Sequence, residues 1–399
     1  MPFQQLDNVV PLVRDIDRVL PRRARVAVIG GGIIGTFVAY SLANAGVSDV
    51  MVIERNTLGS GSSAKPLGGV RAAFSDPGNI VLGRRSLETF ERFEADHGAD
   101  IGLQQVGYLF LARTEDELAA LEVSAEVQRF YGNEARIISP TEAAQINPFL
   151  DSRSLVGAAF TPRDGYVQPS RIIGALRRIS EASGVSFIEH TEVLGLDPLD
   201  EAVRMRTNRG ESIAETVVIA AGAWSTALGA QLGVHLPIEP VRRQIGFTPQ
   251  QKRAYPTIPF TLDLSTTMYF HNHRNGLLLG ISNPEEPGFQ RDFSYNWTVD
   301  FDRAARAIAP SLVGQPLDAG WAGLYENTPD HNAMIGRDER LPSVLYATGF
   351  SGHGLLQAPA VGELVRDIYL ERDSFIDPSP FSASRFSGER QPLSELHII

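Results

Sequence analysis

The run Val26-Ala27-Val28-Ile29-Gly30-Gly31-Gly32-Ile33-Ile34-Gly35, with Val52-Ile53-Glu54-Arg55 after it, constrains this chain more than any other feature. Its order is strand, glycine turn, helix, strand, acid. Gly30, Gly32 and Gly35 fit G-x-G-x-x-G, and Glu54 closes the next strand. A bound dinucleotide asks for each of these parts. The first glycine makes the tight turn, the second lets backbone N–H groups reach a pyrophosphate, the third lets helix and strand pack closely, and the acid takes ribose hydroxyls. The helix N-terminus, through Ile33 and Ile34, adds partial positive charge facing the phosphates. A tight strand–helix turn without a ligand explains the glycines alone, but not the acid that follows in register.

A chain of 399 residues has room for about two domains. The net charge of −11 argues against a nucleic-acid binder and against a surface held by acidic lipids. With no cysteine, disulfides, thiolate metal sites and thiol nucleophiles are excluded. Arg22-Arg23 before an apolar run and Ala43-Asn44-Ala45 after it imitate a twin-arginine export signal. The apolar run is the dinucleotide strand, so cleavage there would destroy the site. Residues 1–24 are therefore read as a leader packed on the domain, helical around Leu12 to Leu20. No stretch approaches the roughly 20 apolar residues of a membrane span, and a cytoplasmic location is expected.

Periodicity and breakers predict helices over 33–45, 79–97, 114–131, 139–147, 169–184, 298–309 and 355–369. Strands are predicted over 25–30, 49–53, 107–111, 185–190, 192–197, 202–208, 213–220, 240–248, 276–282 and 345–348, with strands and turns in 257–271. Gly59 to Arg71, rich in glycine and serine, is either a flexible loop or a backbone that passes close to a ligand. Two further strands run into small-residue turns, at Ala221-Gly222-Ala223-Trp224 and at Gly349-Phe350-Ser351-Gly352-His353-Gly354. The expected fold is α/β: a Rossmann-like dinucleotide domain over 25–105, 150–240 and 320–372. It is interleaved with a mainly antiparallel β substrate domain over 106–149 and 241–319, and followed by a tail over 373–399.

Together these motifs resemble the FAD-dependent amine and amino-acid oxidoreductases of the D-amino-acid-oxidase type, which have the glutathione-reductase-type FAD fold. Within that family, residues 68–76 (GGVRAAFSD) look most like the L-proline dehydrogenase flavin subunits. Leu324 to Asp330 (LYENTPD) and Gly349 to Gly354 look like the sarcosine oxidase group. The resemblance implies that Gly30, Gly32 and Gly35 face the FAD pyrophosphate and Glu54 the AMP ribose, with Arg55 beside the adenine. It puts Gly61, Ser62 and Ser63 at phosphate or ribitol, and Leu67, Gly68 and Gly69 along the isoalloxazine. It also implies a backbone contact from Val193 to adenine, places Ala221, Gly222 and Trp224 near the pyrophosphate, and sets Gly349, Gly352, His353, Gly354 and Leu355 by the flavin ring. Gly323 occupies the position of the flavin-linking cysteine of monomeric sarcosine oxidase, and no histidine lies between Glu54 and Asp96. Non-covalent FAD is expected. Leu356 replaces the lysine that binds substrate carboxylate in sarcosine oxidase, so that contact must move or the substrate differs.

The implied reaction is oxidation of the C–N bond of a secondary or N-alkylated amino acid, sarcosine- or proline-like, to an imine by hydride transfer to flavin N5. The other reading is a flavin-bearing subunit or assembly factor of a larger complex with little turnover of its own, and another subunit then becomes a partner. His353, Tyr325 and Arg71 are the candidate catalytic residues, each with two readings. His353 tunes flavin or meets substrate, or caps a helix. Tyr325 bonds a substrate carboxylate, or is a buried tyrosine with one partner. Arg71 contacts carboxylate or flavin, or makes a surface ion pair. His271 and His273 share a strand face but lack a third ligand, so solvent-facing or pocket-lining roles are favoured over a metal site. Of Arg242 and Arg243, structural pairing is favoured, with one facing substrate as the other reading. Asp330 touches ribitol or stabilises a turn.

Overall fold

The computed structural model describes residues 18–65, 67–282, 286–388 and 395. Its organising unit is a sheet in the order Met334–Arg337, Val344–Thr348, Gly210–Ile219, Arg23–Ile29, Val50–Ile53, Ser186–Ile188. All neighbours are parallel except the first pair. Val203–Thr207 and Val193–Pro198 extend Gly210–Ile219 as an antiparallel meander. Parallel strands are covered on both faces, which is why VAVI, VMVI and VVI are unbroken apolar runs. Val26, Val28, Val52 and Val218 pack under the helices on one face, while Ala27, Met51, Val217 and Ile219 fill the core on the other.

Helix Ile33–Asn44 leaves the first strand through Gly30–Gly32 and packs against helix Gly354–Tyr369. Gly362 makes this approach close: a Cβ there would lie 2.7 Å from the Phe37 carbonyl oxygen. Gly46, at φ +85°, takes the left-handed turn after Ala45. The expected capping box at Thr114 and Glu117 is formed on both sides, opening helix Glu115–Phe130.

The second sheet runs Glu286–Pro287, Glu239–Phe247, Gly276–Ile281, Met268–His273, Phe260–Asp263, Tyr108–Ala112, Gly157–Thr161, Arg136–Ile138, with Ala319–Asn327 paired to Glu239–Phe247. Its neighbours are antiparallel except Phe260–Asp263 beside Tyr108–Ala112. Two of its strands lie in segments expected for the nucleotide domain. Gly157–Thr161 pairs with Tyr108–Ala112 and Arg136–Ile138, and Ala319–Asn327 aligns Glu239↔Asn327 through Phe247↔Ala319. Their small residues, GAAFT and AGWAG, carry weak strand periodicity, and pairing rather than propensity makes them strands.

The leader helix expected around Leu12 begins outside the described residues, and Arg23, placed in the leader, already pairs with Ile213. The glycine-serine loop is not wholly irregular. It holds a 3₁₀ turn at Ser62–Ala64 and a two-residue strand, Gly69–Val70, paired with Gly165–Tyr166. The tail also docks through side chains: Arg385 is buried against Asp330, and Glu395 accepts from the amides of Ser75 and Asp76.

Candidate cofactor and substrate site

A single cleft is lined from both sheets. The sequence-predicted residues that line it are Gly30, Gly32, Ile33, Ile34, Glu54, Arg55, Gly61, Ser62, Ser63, Leu67, Gly68, Gly69, Val193, Ala221, Gly222, Trp224, Gly323, Gly352, His353, Gly354 and Leu355, with Arg71 and Tyr325. Gly35 and Gly349 do not line it. Gly35 lies behind the turn, where a Cβ would overlap the Gly30 carbonyl oxygen, so it permits close packing of helix on strand. Gly349 takes φ +75° in the turn after Val344–Thr348, with Thr328 filling the space a Cβ would need.

At one end the glycine turn, the loop and the acid lock together. Glu54 accepts from the Gly31 amide through Oε2 and from the Asn56 amide through Oε1, both at 2.9 Å. Ser63 Oγ accepts from the Ile33 amide at 2.9 Å, and Ser62 Oγ donates to the Leu324 carbonyl at 2.7 Å. Gly32 is the N-cap of its helix and supplies no side-chain cap. Gly61 has open space where a Cβ would point, and Gly32 meets only Ser63 Oγ at 3.1 Å. This cradle of bare backbone, a helix N-terminus and a carboxylate on the next strand has the donor set of a dinucleotide site. The Arg55 guanidinium stacks 3.8 Å over the Trp224 ring, and Arg291 approaches the same ring at 5.7 Å. The sequence placed Arg55 and Trp224 at separate parts of the cofactor; the structure brings them into one stack.

At the other end Arg71, Arg243, Tyr108, Tyr269, Tyr325 and His353 meet. Arg71 is 1% exposed, which rules out a surface ion pair. It bonds the Ala73 carbonyl and lies 4.2 Å over the Phe74 ring and 5.4 Å over the Phe110 ring. Burial pushes its guanidinium below the ordinary value, with Tyr108, Glu395, Asp164 and Tyr325 pulling the other way. Arg243 sits 5.1 Å over the Tyr325 ring. Burial raises the Tyr325 phenol, opposed by Arg243 and then Arg71, and burial also raises Tyr108 and Tyr269. Two guanidinium groups among protonated phenol donors form a cradle for a carboxylate. Gly352, at φ +92°, makes room for Tyr325, because a Cβ there would overlap its ring.

Strand alternation separates the paired arginines. Arg242 is held by Glu286 and the Asp292 carbonyl, while Arg243 lines the cleft. Arg242 thus takes the paired role, while Arg243 is the one of the two in the cleft. His353 occupies the N-cap of helix Gly354–Tyr369, but its side chain makes no capping bond. The ring is buried edge-on to Phe74 at 5.2 Å. Leu356 lines the cleft and offers no charge.

His271 faces neither solvent nor the cleft. It is buried against Phe260 and Tyr166, and burial lowers it to about 4. His273 is half-buried against Phe247. No group of three or more metal-ligating side chains gathers among the described residues. Asp330 lies away from the cleft, in a paired and turn-forming role: it grips Arg385 at 2.8 and 3.0 Å and accepts from the Asn332 amide.

Sequence reasoning missed Asp164, Glu326 and Arg291. Asp164, fully buried, accepts from the Ala72 amide at 2.9 Å and from Thr161 Oγ1 at 2.6 Å, so it fixes the segment carrying Arg71. Burial raises it to about 6.

The fold and cleft define a flavin-type dinucleotide oxidoreductase. The family pattern described as "FAD dependent oxidoreductase" (DAO) matches residues 25–368, and the chain belongs to this FAD-dependent family. It is 30% identical to glycine oxidase from Geobacillus kaustophilus over 93% of this chain and 99% of that one. The crystal structure of L-proline dehydrogenase from P. horikoshii superposes with a TM-score of 0.87 at 32% identity, covering 93% of this chain and 100% of that one. The 4-methylaminobutanoate oxidase (formaldehyde-forming) of Paenarthrobacter nicotinovorans is 27% identical over 93% of this chain, which spans only 46% of that protein. No helix among the described residues is long and apolar enough to cross a membrane.

Proposed function

We propose that this protein oxidises the C–N bond of a secondary or N-alkylated amino acid, with FAD held non-covalently in the cleft. The observation that carries this reading is the cradle of Arg71, Arg243 and Tyr325 at the end of the cleft bordered by His353 and Gly352. Likeness to an L-proline dehydrogenase supports a secondary-amine substrate, and likeness to a glycine oxidase supports an amino-acid substrate. Bound FAD supplies the acceptor for the hydride equivalent leaving the carbon beside nitrogen.

The chain's own residues supply the rest. Arg243 and Arg71 replace the missing lysine at Leu356 as carboxylate partners, and Tyr325 donates from its hydroxyl. Tyr108, Tyr269 and Phe350 enclose the amine in a water-poor pocket, which favours the neutral amine whose lone pair is needed. The amides of Gly354, Leu355 and Leu356 lie at the cleft and present the positive end of a 16-residue helix to charge that develops there. At Gly323 there is no side chain to carry a covalent link, and Lys65 Cβ lies 3.4 Å from where a Cβ would be.

The test is anaerobic addition of L-proline, sarcosine, glycine and pyrrolidine to the yellow protein. Bleaching by L-proline or sarcosine in preference to glycine, and its loss at equal concentration in Arg243→Met, is the expected result. No bleaching across the panel overturns the reading. Equal bleaching by pyrrolidine removes the carboxylate cradle.

A further inference from the structure

Glu326 is a carboxyl in the cofactor cleft to which the chemistry above gives no part. Three segments distant in sequence converge on it. Thr348 Oγ1 donates to Glu326 Oε2 at 3.2 Å and also reaches Ser225 Oγ at 2.8 Å. The amides of Gly349 and Phe350 bond the same carboxyl. Where Gly222 would carry a Cβ, Glu326 Oε2 lies 3.3 Å away, so that oxygen faces the bare turn. This turn abuts the first glycine turn: a Cβ on Gly30 would overlap the Ala220 carbonyl oxygen. Glu326 lines the same cleft as the Gly222 turn and the Gly30 and Gly32 backbone that would meet a pyrophosphate.

We propose that Glu326 binds FAD as the neutral acid, donating its O–H to a pyrophosphate oxyanion, so that FAD binding above neutral pH takes up one proton. The inference rests on the FAD reading of the cleft. Its geometry is that of a carboxyl set beside an anion site. The groups that bond its carboxyl are the hydroxyl of Thr348 and the amides of Gly349 and Phe350, with Ser225 bonded to Thr348 and Ser351 to the Glu326 main-chain carbonyl, and none carries a charge. Burial, opposed by those amides and Thr348, raises the carboxyl to about 7. An arriving phosphate raises it further, because two anions at close range cannot both remain charged cheaply. The proton comes from solvent and stays on the carboxyl while FAD is bound.

The experiment titrates FAD into apoprotein prepared from the holoenzyme, following flavin fluorescence between pH 6 and 8.5. For wild type the dissociation constant rises by about tenfold per pH unit above roughly pH 7, the slope for one coupled proton. Glu326→Gln keeps a donor but cannot ionise, and its constant stays flat. Glu326→Asp keeps the slope at weaker affinity. Calorimetry of wild type in two buffers of different ionisation heat reads the proton directly, with about one taken up at pH 8, and stands even where a variant fails to fold. Identical pH profiles for wild type and Glu326→Gln, or no proton uptake, overturn the proposal. Tighter binding by wild type at pH 8.5 also overturns it, and points to a carboxylate accepting from ribityl hydroxyls. Failure of wild type to bind FAD at any pH defeats the cofactor reading instead.

Discussion

Replacing Asp330 by Asn separates a structural carboxylate from a cofactor ligand. Asp330 and Arg385 are each 2% exposed in their side chains and joined by two bonds, at 2.8 and 3.0 Å. Arg385 also donates to the carbonyls of Phe381, Ser382 and Asn332. The variant therefore leaves a guanidinium buried with its carbonyl partners but without its counter-charge. Breaking one side of a buried pair costs about 3–5 kcal/mol, and the isosteric amide, which keeps the Asn332 bond, places the loss near the lower end. At roughly 2 °C per kcal/mol for a large chain, the melting temperature falls by about 6 °C. Burial alone would raise the Asp330 carboxyl, but the bonds and charge of Arg385 outweigh it and hold it below 3.8. Its stabilisation is therefore present above the ordinary carboxylate value and lost as pH falls through the lowered one. The gap between wild type and variant should be full at pH 7.5 and close in acid. Melting followed by circular dichroism at pH 7.5 and pH 3.5, with FAD affinity measured at 20 °C, checks both parts. An unchanged melting temperature with tenfold weaker FAD binding would refute the reasoning and return Asp330 to the ribitol.

Gly352→Ala puts a methyl group into the Tyr325 ring at a backbone angle of +92°. The strain of about 1–3 kcal/mol and the displaced phenol should lower kcat/KM at least tenfold, read by steady-state kinetics on the substrate that bleaches the flavin. In Asp164→Asn the bond to Ala72 is kept but ionisation is lost. Because burial raises Asp164 from 3.8 to about 6, wild type loses about 3 kcal/mol of its contribution as pH rises across that window. The variant should therefore gain on wild type in urea midpoint between pH 4 and pH 7, and a constant difference would contradict this. Glu54→Ala removes two bonds that set the glycine turn and its neighbouring loop. A charged acceptor of this kind is worth about 1.5–3 kcal/mol, so FAD affinity should fall by roughly 10- to 100-fold in a fluorescence titration.

What was legible in the sequence shares one property: it is written in adjacent residues. The strand–glycine–helix turns at Gly30, Gly222 and Gly352 could be read because turn geometry restricts the residues that make the turn. Glu54 and His353 could be singled out because each sits at a fixed step from such a turn, whereas Tyr325 could be singled out only through the resemblance of Leu324 to Asp330. Asp164 and Glu326 could not. The partners of Asp164 are Thr161 and Ala72, and those of Glu326 are Thr348 and the turn after it. Nothing local marks either carboxylate as buried. The doublet Arg242-Arg243 lies between these cases. Alternation says that the two side chains part, but only the pairing of Glu286 with Arg242 decides which one is left to the cleft.

Strand Ala319–Asn327 shows how the two halves of the site are tied together. It pairs along its length with Glu239–Phe247, which carries Arg243, so its place in the substrate sheet is fixed. It also presents three consecutive functional positions: Gly323 bare against Lys65, the Leu324 carbonyl bound by Ser62 of the cofactor loop, and Tyr325 under Gly352. Glu326 follows, bonded to the nucleotide sheet through Thr348. A shift of this strand by one residue in the direction that brings Glu326 to the place of Tyr325 would put a carboxyl where the arginine cradle needs a phenol and send the phenol to the place of Leu324. The nine paired positions with Glu239–Phe247 make that slip costly, so the register of one strand sets where both Tyr325 and Glu326 stand in the cleft.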